Sequence, residues 1–180
     1  MFRLFYALLV GIIGAGIVHI AIIFLLPANA SNDAWSRIAA IAEPYQPVLL
    51  ENVEPSVLPA SQRNPFLRAV ACRFDLEDGP VRLSAEEALP FWSMSLYDQS
   101  GLNVFSISDR AAPGASPDLL VLTSEQLAAM RTEMPAEFDQ SLFVETDIEQ
   151  GLIVMRVLVP DATYQRRVGR ALASIACKPA

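Results

Sequence analysis

The sequence predicts an α+β protein: an N-terminal transmembrane helix, then a mainly antiparallel β domain closed by a C-terminal amphipathic helix. Three observations carry this. Residues 4–26 form a run of 23 with no formal charge. From Ala69 onward, runs of four to eight residues rich in β-branched and aromatic side chains are bounded by turn chemistry. Beyond Pro160-Asp161, Tyr164, Val168, Ala171, Leu172 and Ile175 share one helical stripe, with Arg166, Arg167 and Arg170 opposite.

As a helix the first run is about 34 Å long, enough to cross a hydrocarbon core of about 30 Å with slight tilt. Two fates compete for it. A cleavable signal peptide needs a basic start, an apolar core of roughly 7–15 residues and a small-x-small exit, and Ala28-Asn29-Ala30 after the helix-breaking Pro27 supplies the exit. The apolar core exceeds that length, which favours a retained signal anchor. Either way Arg3 precedes the span while Asp33 and Arg37 follow it, so the positive-inside rule keeps the start in the cytoplasm and exports the rest. Within the span Ala7, Gly11, Ala15 and His19 recur at i+4, a stripe suited to packing against a second copy or another membrane helix. The same residues also read as the ordinary glycine and alanine content of membrane helices, with His19 reaching toward the outer interface.

Three segments follow: the anchor at 1–30, a short helix and proline-rich connector at 31–65, and an exported β-rich domain at 66–180. That remainder is one ordinary domain, large enough to bury a core. The whole exported part, residues 31–180, carries 12 basic and 20 acidic residues, a net charge of −8, which disfavours nucleic acid and anionic headgroups as partners. The single histidine lies in the span, so the domain lacks the usual general base and the commonest metal ligand. Cys72 and Cys177, both exported, are expected to pair, since an oxidising compartment favours it; two buried free thiols are the alternative.

Ser31-Asn32-Asp33 offers N-caps for a helix through Ala42, ended by Glu43-Pro44. Prolines at 44, 47, 55, 59 and 65 preclude a helix or central strand in the connector. It either holds the domain off the membrane or lies along it through Val48, Leu49, Leu50, Val57 and Leu58. Strands are expected at 69–76, 80–83, 91–97, 102–107, 119–123, 142–146 and 152–158. Glu77-Asp78-Gly79-Pro80 and Asp98-Gln99-Ser100-Gly101 are turn chemistry, predicting antiparallel hairpins on either side of each. A short helix fits 124–133, capped by Thr123 or Ser124, and the last helix begins at Pro160-Asp161.

The stretch Arg73-Phe74-Asp75-Leu76-Glu77-Asp78-Gly79-Pro80-Val81-Arg82-Leu83, followed by Phe91-Trp92-Ser93-Met94-Ser95-Leu96-Tyr97-Asp98 and Asn103-Val104-Phe105, resembles the bacterial domain of unknown function 1254 family. Its marks are an Asp-Leu strand end before a Gly-Pro turn, an aromatic strand ending in Asp, and Asn-hydrophobic-Phe. Trp92-Ser93 to Leu96-Tyr97-Asp98 is also similar to the companion family 1214. The resemblance covers about residues 65–125 and departs at Asn64-Pro65-Phe66-Leu67, where members usually show Asn-Asp-Thr-Leu-Tyr. It implies a β-rich domain of an envelope protein working beside a family 1214-type partner; joined to the orientation of the span, the expected location is the bacterial inner membrane with the C-terminal domain in the periplasm. The resemblance supplies no reaction.

On alternation, Trp92, Met94 and Leu96 face the core, while Ser93, Ser95 and Tyr97 line a semi-polar face that is either a ligand groove or a covered sheet face. Arg156 shares a face with Leu152, Val154 and Leu158 and needs a carboxylate there, with Asp75, Asp98, Asp109 and Glu145 as candidates. Ser93, Ser95, Tyr97, Asp98 and Arg156 are therefore the candidate ligand-binding residues. Asp109-Arg110 reads as a turn with a local salt bridge. Glu77/Asp78 and Glu86/Glu87 sit in loops without a partner base, and the serines lack a His or Lys partner, so Ser-His and Cys-His hydrolase designs are excluded. No catalytic residue, metal or cofactor is assigned. The expectation is a non-enzymatic accessory module that docks a protein partner; the alternative is a small-molecule-binding or processing module built on Arg156.

Overall fold

Alternation of large apolar side chains with smaller or polar ones turns successive segments of residues 67–179 into strands, and a computed structural model of the protein describes residues 2–30, 33–54, 64–89, 91–132 and 134–180. Helix α1 spans Phe2–Ala30, running on through Pro27, which removes one backbone hydrogen bond without ending the helix. Helix α2 spans Asp33–Ala39, β1 Val48–Leu49, β2 Leu67–Asp75, β3 Val81–Ser84, β4 Trp92–Asp98 and β5 Asn103–Ser108. Then come β6 Asp118–Leu122, α3 Ser124–Thr132, β7 Leu142–Glu145, β8 Gln150–Leu158, α4 Ala162–Ala173 and β9 Ala176–Pro179.

The strands form two sheets, one ordered β1-β2-β8-β4-β5 and the other β7-β6-β3-β9. All pairs are antiparallel except β6 with β7. Central β8 pairs along its whole length with β2, Leu67 opposite Leu158 through Asp75 opposite Gln150, and with β4 on its other side. Val70, Cys72 and Phe74, Trp92, Met94 and Leu96, and Ile153, Met155 and Val157 point inward from the first sheet. Val81, Leu83, Leu119 and Val121 meet them from the second, and α4 adds Val168, Ala171 and Leu172 to the same core. Asp161 caps α4, accepting from Thr163 N at 2.7 Å.

Two smaller apolar layers cover the outer faces. Ile38 and Ala42, with Trp35, Val48 and Leu50, lie on Ala71, Leu152 and Val154 of the first sheet. Leu127 of α3 and Phe138 lie on Leu120 and Leu122 of the second. Thr123 caps α3 by a reciprocal pair: Gln126 N donates to Thr123 Oγ1 at 3.2 Å and Thr123 N to Gln126 Oε1 at 2.9 Å.

Two expectations are corrected and one choice between alternatives is decided. The turn at 77–80 does not join a hairpin: β2 and β3 belong to different sheets, and the chain crosses between them through a 3₁₀ turn at Leu76–Asp78 capped by Asp75. Of the two readings of the connector, its described part follows the second and lies along the domain, β1 pairing with β2 and Val48 and Leu50 packing on the sheet; Val57 and Leu58 lie outside the described residues. The chain does not end as a helix, because Ala176–Pro179 add strand β9 to β3. The hairpin at 98–101 forms as expected between β4 and β5, with Gly101 at φ +83 supplying the left-handed turn residue.

Candidate functional site

Strand pleating places Ser95, Tyr97 and Arg156 on the outer face of the first sheet, where β8 and β4 run side by side. Arg156 donates to Ser95 Oγ at 3.2 Å and to Tyr97 Oη at 3.1 Å, and its guanidinium lies 5.9 Å from the Tyr97 ring centre. Ser106 of β5 extends the network, donating to Ser95 Oγ at 3.0 Å and exchanging contacts with Asn103 at 2.9 and 3.1 Å. The expected carboxylate is absent: among the described residues Arg156 is hydrogen-bonded by hydroxyls alone, and Asp75, Asp98 and Asp109 serve other groups. The physical reason is its half-buried position, which lowers the cost of a guanidinium without an ionised partner. Burial pushes the Tyr97 phenol upward, but the Arg156 hydrogen bond, Ser95 and the guanidinium charge outweigh it and hold its pKa below the ordinary value.

Ser93 stands opposite Arg156 in the β4–β8 register. Asp98 is not part of the group: its carboxylate closes the hairpin, accepting from Ser100 N at 2.9 Å, Ser100 Oγ at 2.7 Å and Leu102 N at 2.9 Å. Partial burial would raise its pKa, but these donors hold it below the usual carboxylate value. Asp109 likewise serves the backbone, accepting from Phe91 N at 3.1 Å, where Phe91 takes a positive φ of 53°.

A second polar centre was not expected from the sequence. Arg82 of β3 grips Asp118 of β6 with two hydrogen bonds of 2.9 and 2.8 Å. It also donates to the Glu137 carboxylate and carbonyl at 3.2 and 3.1 Å and lies 5.1 Å from the Phe138 ring centre. Ser141 Oγ donates to the same Asp118 at 2.8 Å. The Asp118 hydrogen bond is the largest influence on the Arg82 pKa, and it raises it against the cost of burial. Beside this cluster opens a cleft of about 520 Å³ lined by Ser84, Glu86, Ser116, Gln140, Ser174 and Lys178 among others. A second cleft of about 460 Å³ is edged by Glu77, Glu125, Asp147 and Glu149. Neither includes Ser95, Tyr97 or Arg156.

The connector is clamped by its own set. Arg73 donates to the Ala39 carbonyl at the end of α2 at 3.4 Å and to the Ala42 carbonyl just beyond it at 2.9 Å, and sits 5.0 Å from the Trp35 ring centre, a cation placed at a helix C-terminus. Tyr45 Oη donates to the Asp75 carbonyl at 2.6 Å and to the Asp78 carboxylate at 2.8 Å. Burial, then the Asp78 contact, push its pKa up to about 12. Arg68 is paired with Glu51, fixing the other end of the connector.

Cys72 and Cys177 form a disulfide across 105 residues, their Cα atoms 6.5 Å apart. Since Cys72 is in β2 and Cys177 in β9, the bridge joins the two sheets. Helix α1 contains Gly11, Ala15 and His19 on a surface with no described contact to the domain, and its large side chains, Phe2 at 88 % and Phe24 at 77 % among them, are exposed. Of length and composition sufficient to cross a membrane, it is the one such helix among the described residues.

These features define a class: an apolar N-terminal helix joined to a two-sheet α+β domain stapled by one disulfide. The chain belongs to the family described as protein of unknown function DUF1254, whose model matches residues 67–179. The match runs past the quoted motifs to include β8, α4 and β9. Among solved structures the chain is similar to the VPA0106 protein from Vibrio parahaemolyticus, at 13 % identity and a TM-score of 0.58, over 83 % of this chain and 35 % of that one. An uncharacterised protein from Burkholderia cenocepacia matches at 9 % identity and a TM-score of 0.46, over 78 % of this chain and 35 % of that one. The chain thus spans about a third of the length of both. No curated protein matches.

Proposed function

We propose that this is a single-span inner-membrane protein whose periplasmic domain is an accessory module that docks a protein partner, a family 1214-type protein being the first candidate. One observation carries the anchor: an apolar helix whose large side chains find no protein to bury against needs lipid or another membrane helix around it. The disulfide fits an oxidising compartment on the far side of that membrane. The docking reading rests on the first sheet's outer face being covered at Ala71, Leu152 and Val154, where α2 and the Val48 and Leu50 side chains occupy ground a groove would need.

The test is topological. A tag at Ala180 should be open to protease in spheroplasts, and the intact mass should include residues 1–30. A soluble form beginning at Ser31 would remove the anchor. Co-purification with a family 1214-type protein in mild detergent would support the partner.

A second reading is favoured by Arg156, whose guanidinium is held by neutral hydroxyls with no described carboxylate. We propose it as the anion-recognising group of a small carboxylate site if the module binds ligands. Arg156→Met should then fold normally and lose thermal stabilisation by a panel of mono- and dicarboxylates. An identical response in wild type and variant would end this reading.

A further inference from the structure

We propose that the free edge of β5 is the docking surface for β5 of a second copy of this chain, the two strands pairing antiparallel. β5 ends the five-stranded sheet, and among the described residues nothing pairs with its far side. Asp109 N bonds Trp92 O, so alternate pairs with β4 exchange hydrogen bonds at Ile107 and Phe105, which leaves Ser106 N–H and C=O directed outward. An unpaired row of this kind is a template for another strand, and proteins blunt it with charge, proline or covering elements. Here residues 99–108 contain neither charge nor proline, and the one irregularity is a register shift at Leu96/Tyr97, beyond the Ser106 segment.

The occupant follows from charge and geometry. In an exported part of net charge −8, this uncharged stretch is where two copies can abut without like charges meeting. With a dyad at Ser106, Asp109 of each copy falls opposite Asn103 of the other. Antiparallel edge pairing puts the two-fold axis normal to the sheet, so both copies present the same face to the same side. That face is the one carrying α2, which begins at Asp33, close after α1 ends at Ala30. Both α1 helices therefore enter a single bilayer, with the dyad along its normal. This orientation, though not the pairing itself, rests on the anchored reading proposed above.

The full chain, extracted in mild detergent, is weighed by native mass spectrometry with two variants. Ser106→Lys places a charge on the edge, and Ser106→Pro removes its outward N–H while sparing the backbone bonds to β4; both give up the Ser106 hydroxyl's contact with Ser95. The wild type should weigh two chains and each variant one, their association at least tenfold weaker, with each variant still unfolding in one cooperative transition. A photo-crosslinker at Val104 in the otherwise unaltered chain should link to residues 102–109 of a second copy, which keeps the test sound if a variant misfolds. A monomeric wild type overturns the proposal. So does a dimer that survives both variants, or a one-to-one complex with a foreign chain that both variants abolish. A soluble form lacking α1 that still pairs through Val104 would sink the anchor and keep this interface.

Discussion

At the scale of single residues, the best-buried charge pair is the one to test first. The Arg82 and Asp118 side chains are each 16 % exposed and share two hydrogen bonds. Asp118→Ala should cost about 3 kcal/mol, because it strands the guanidinium, whereas the double change Arg82→Met/Asp118→Leu should recover much of that. Urea unfolding of the four members of the cycle measures the coupling. Tyr45 gives a pH signature: its folded pKa stands at about 12 against an ordinary 10.0. The neutral phenol's contribution is therefore whole below about pH 10 and is lost as pH rises through about 12. The stability gap between wild type and Tyr45→Phe should hold constant up to pH 10 and narrow above it. Neither feature was legible in sequence. Arg82 and Asp118 are 36 positions apart and meet only because β3 and β6 pair. Arg156, by contrast, was placed on the right face by alternation, but the sequence called for a carboxylate where hydroxyls serve. A half-buried position relaxes that need, and exposure is what alternation cannot grade.

At the scale of elements, the strands with clean alternation were readable to within a residue or two, β4 above all. β9 was not, since Ala176-Cys177-Lys178-Pro179 contains no β-branched or aromatic residue and Ile175 extends the helical stripe up to its start. Turn chemistry also misled between β2 and β3: Gly79 at φ +124 serves a crossover between sheets as well as it would a hairpin. The tightest element is β8, where a Cβ at Gly151 would lie 2.8 Å from a Phe74 ring carbon and 2.9 Å from the Tyr97 carbonyl. Gly151→Ala should destabilise by about 1–3 kcal/mol through overpacking, read as a lowered urea midpoint with unchanged slope. α2 is held through Arg73, so Arg73→Ala should speed amide exchange in residues 35–42 while leaving β8 protected.

At the scale of the whole molecule, the Cys72–Cys177 bridge ties one sheet to the other. Chain-entropy arguments value a closure of about 100 residues at about 4–5 kcal/mol. The double variant Cys72→Ser/Cys177→Ser should lose stability on that order, and non-reducing peptide mapping of the wild type should return one linked peptide pair. Two alkylatable thiols after acid trapping would show the bridge absent. The pairing was legible because the exported part holds two cysteines and no others. What the bridge joins was not, because that depends on β9.

The strand order also governs how fast the molecule assembles. β4 and β5 meet across a four-residue turn, but β2 and β4 find their common partner only in β8, which lies about 80 and 60 residues further along the chain. Until that strand arrives, β2 has no partner but two-residue β1, and β4 only its hairpin mate. Closure of such long loops precedes any reward from burial, so the domain belongs among slow folders, on a scale of milliseconds to seconds, with the β4–β5 hairpin as the early local structure.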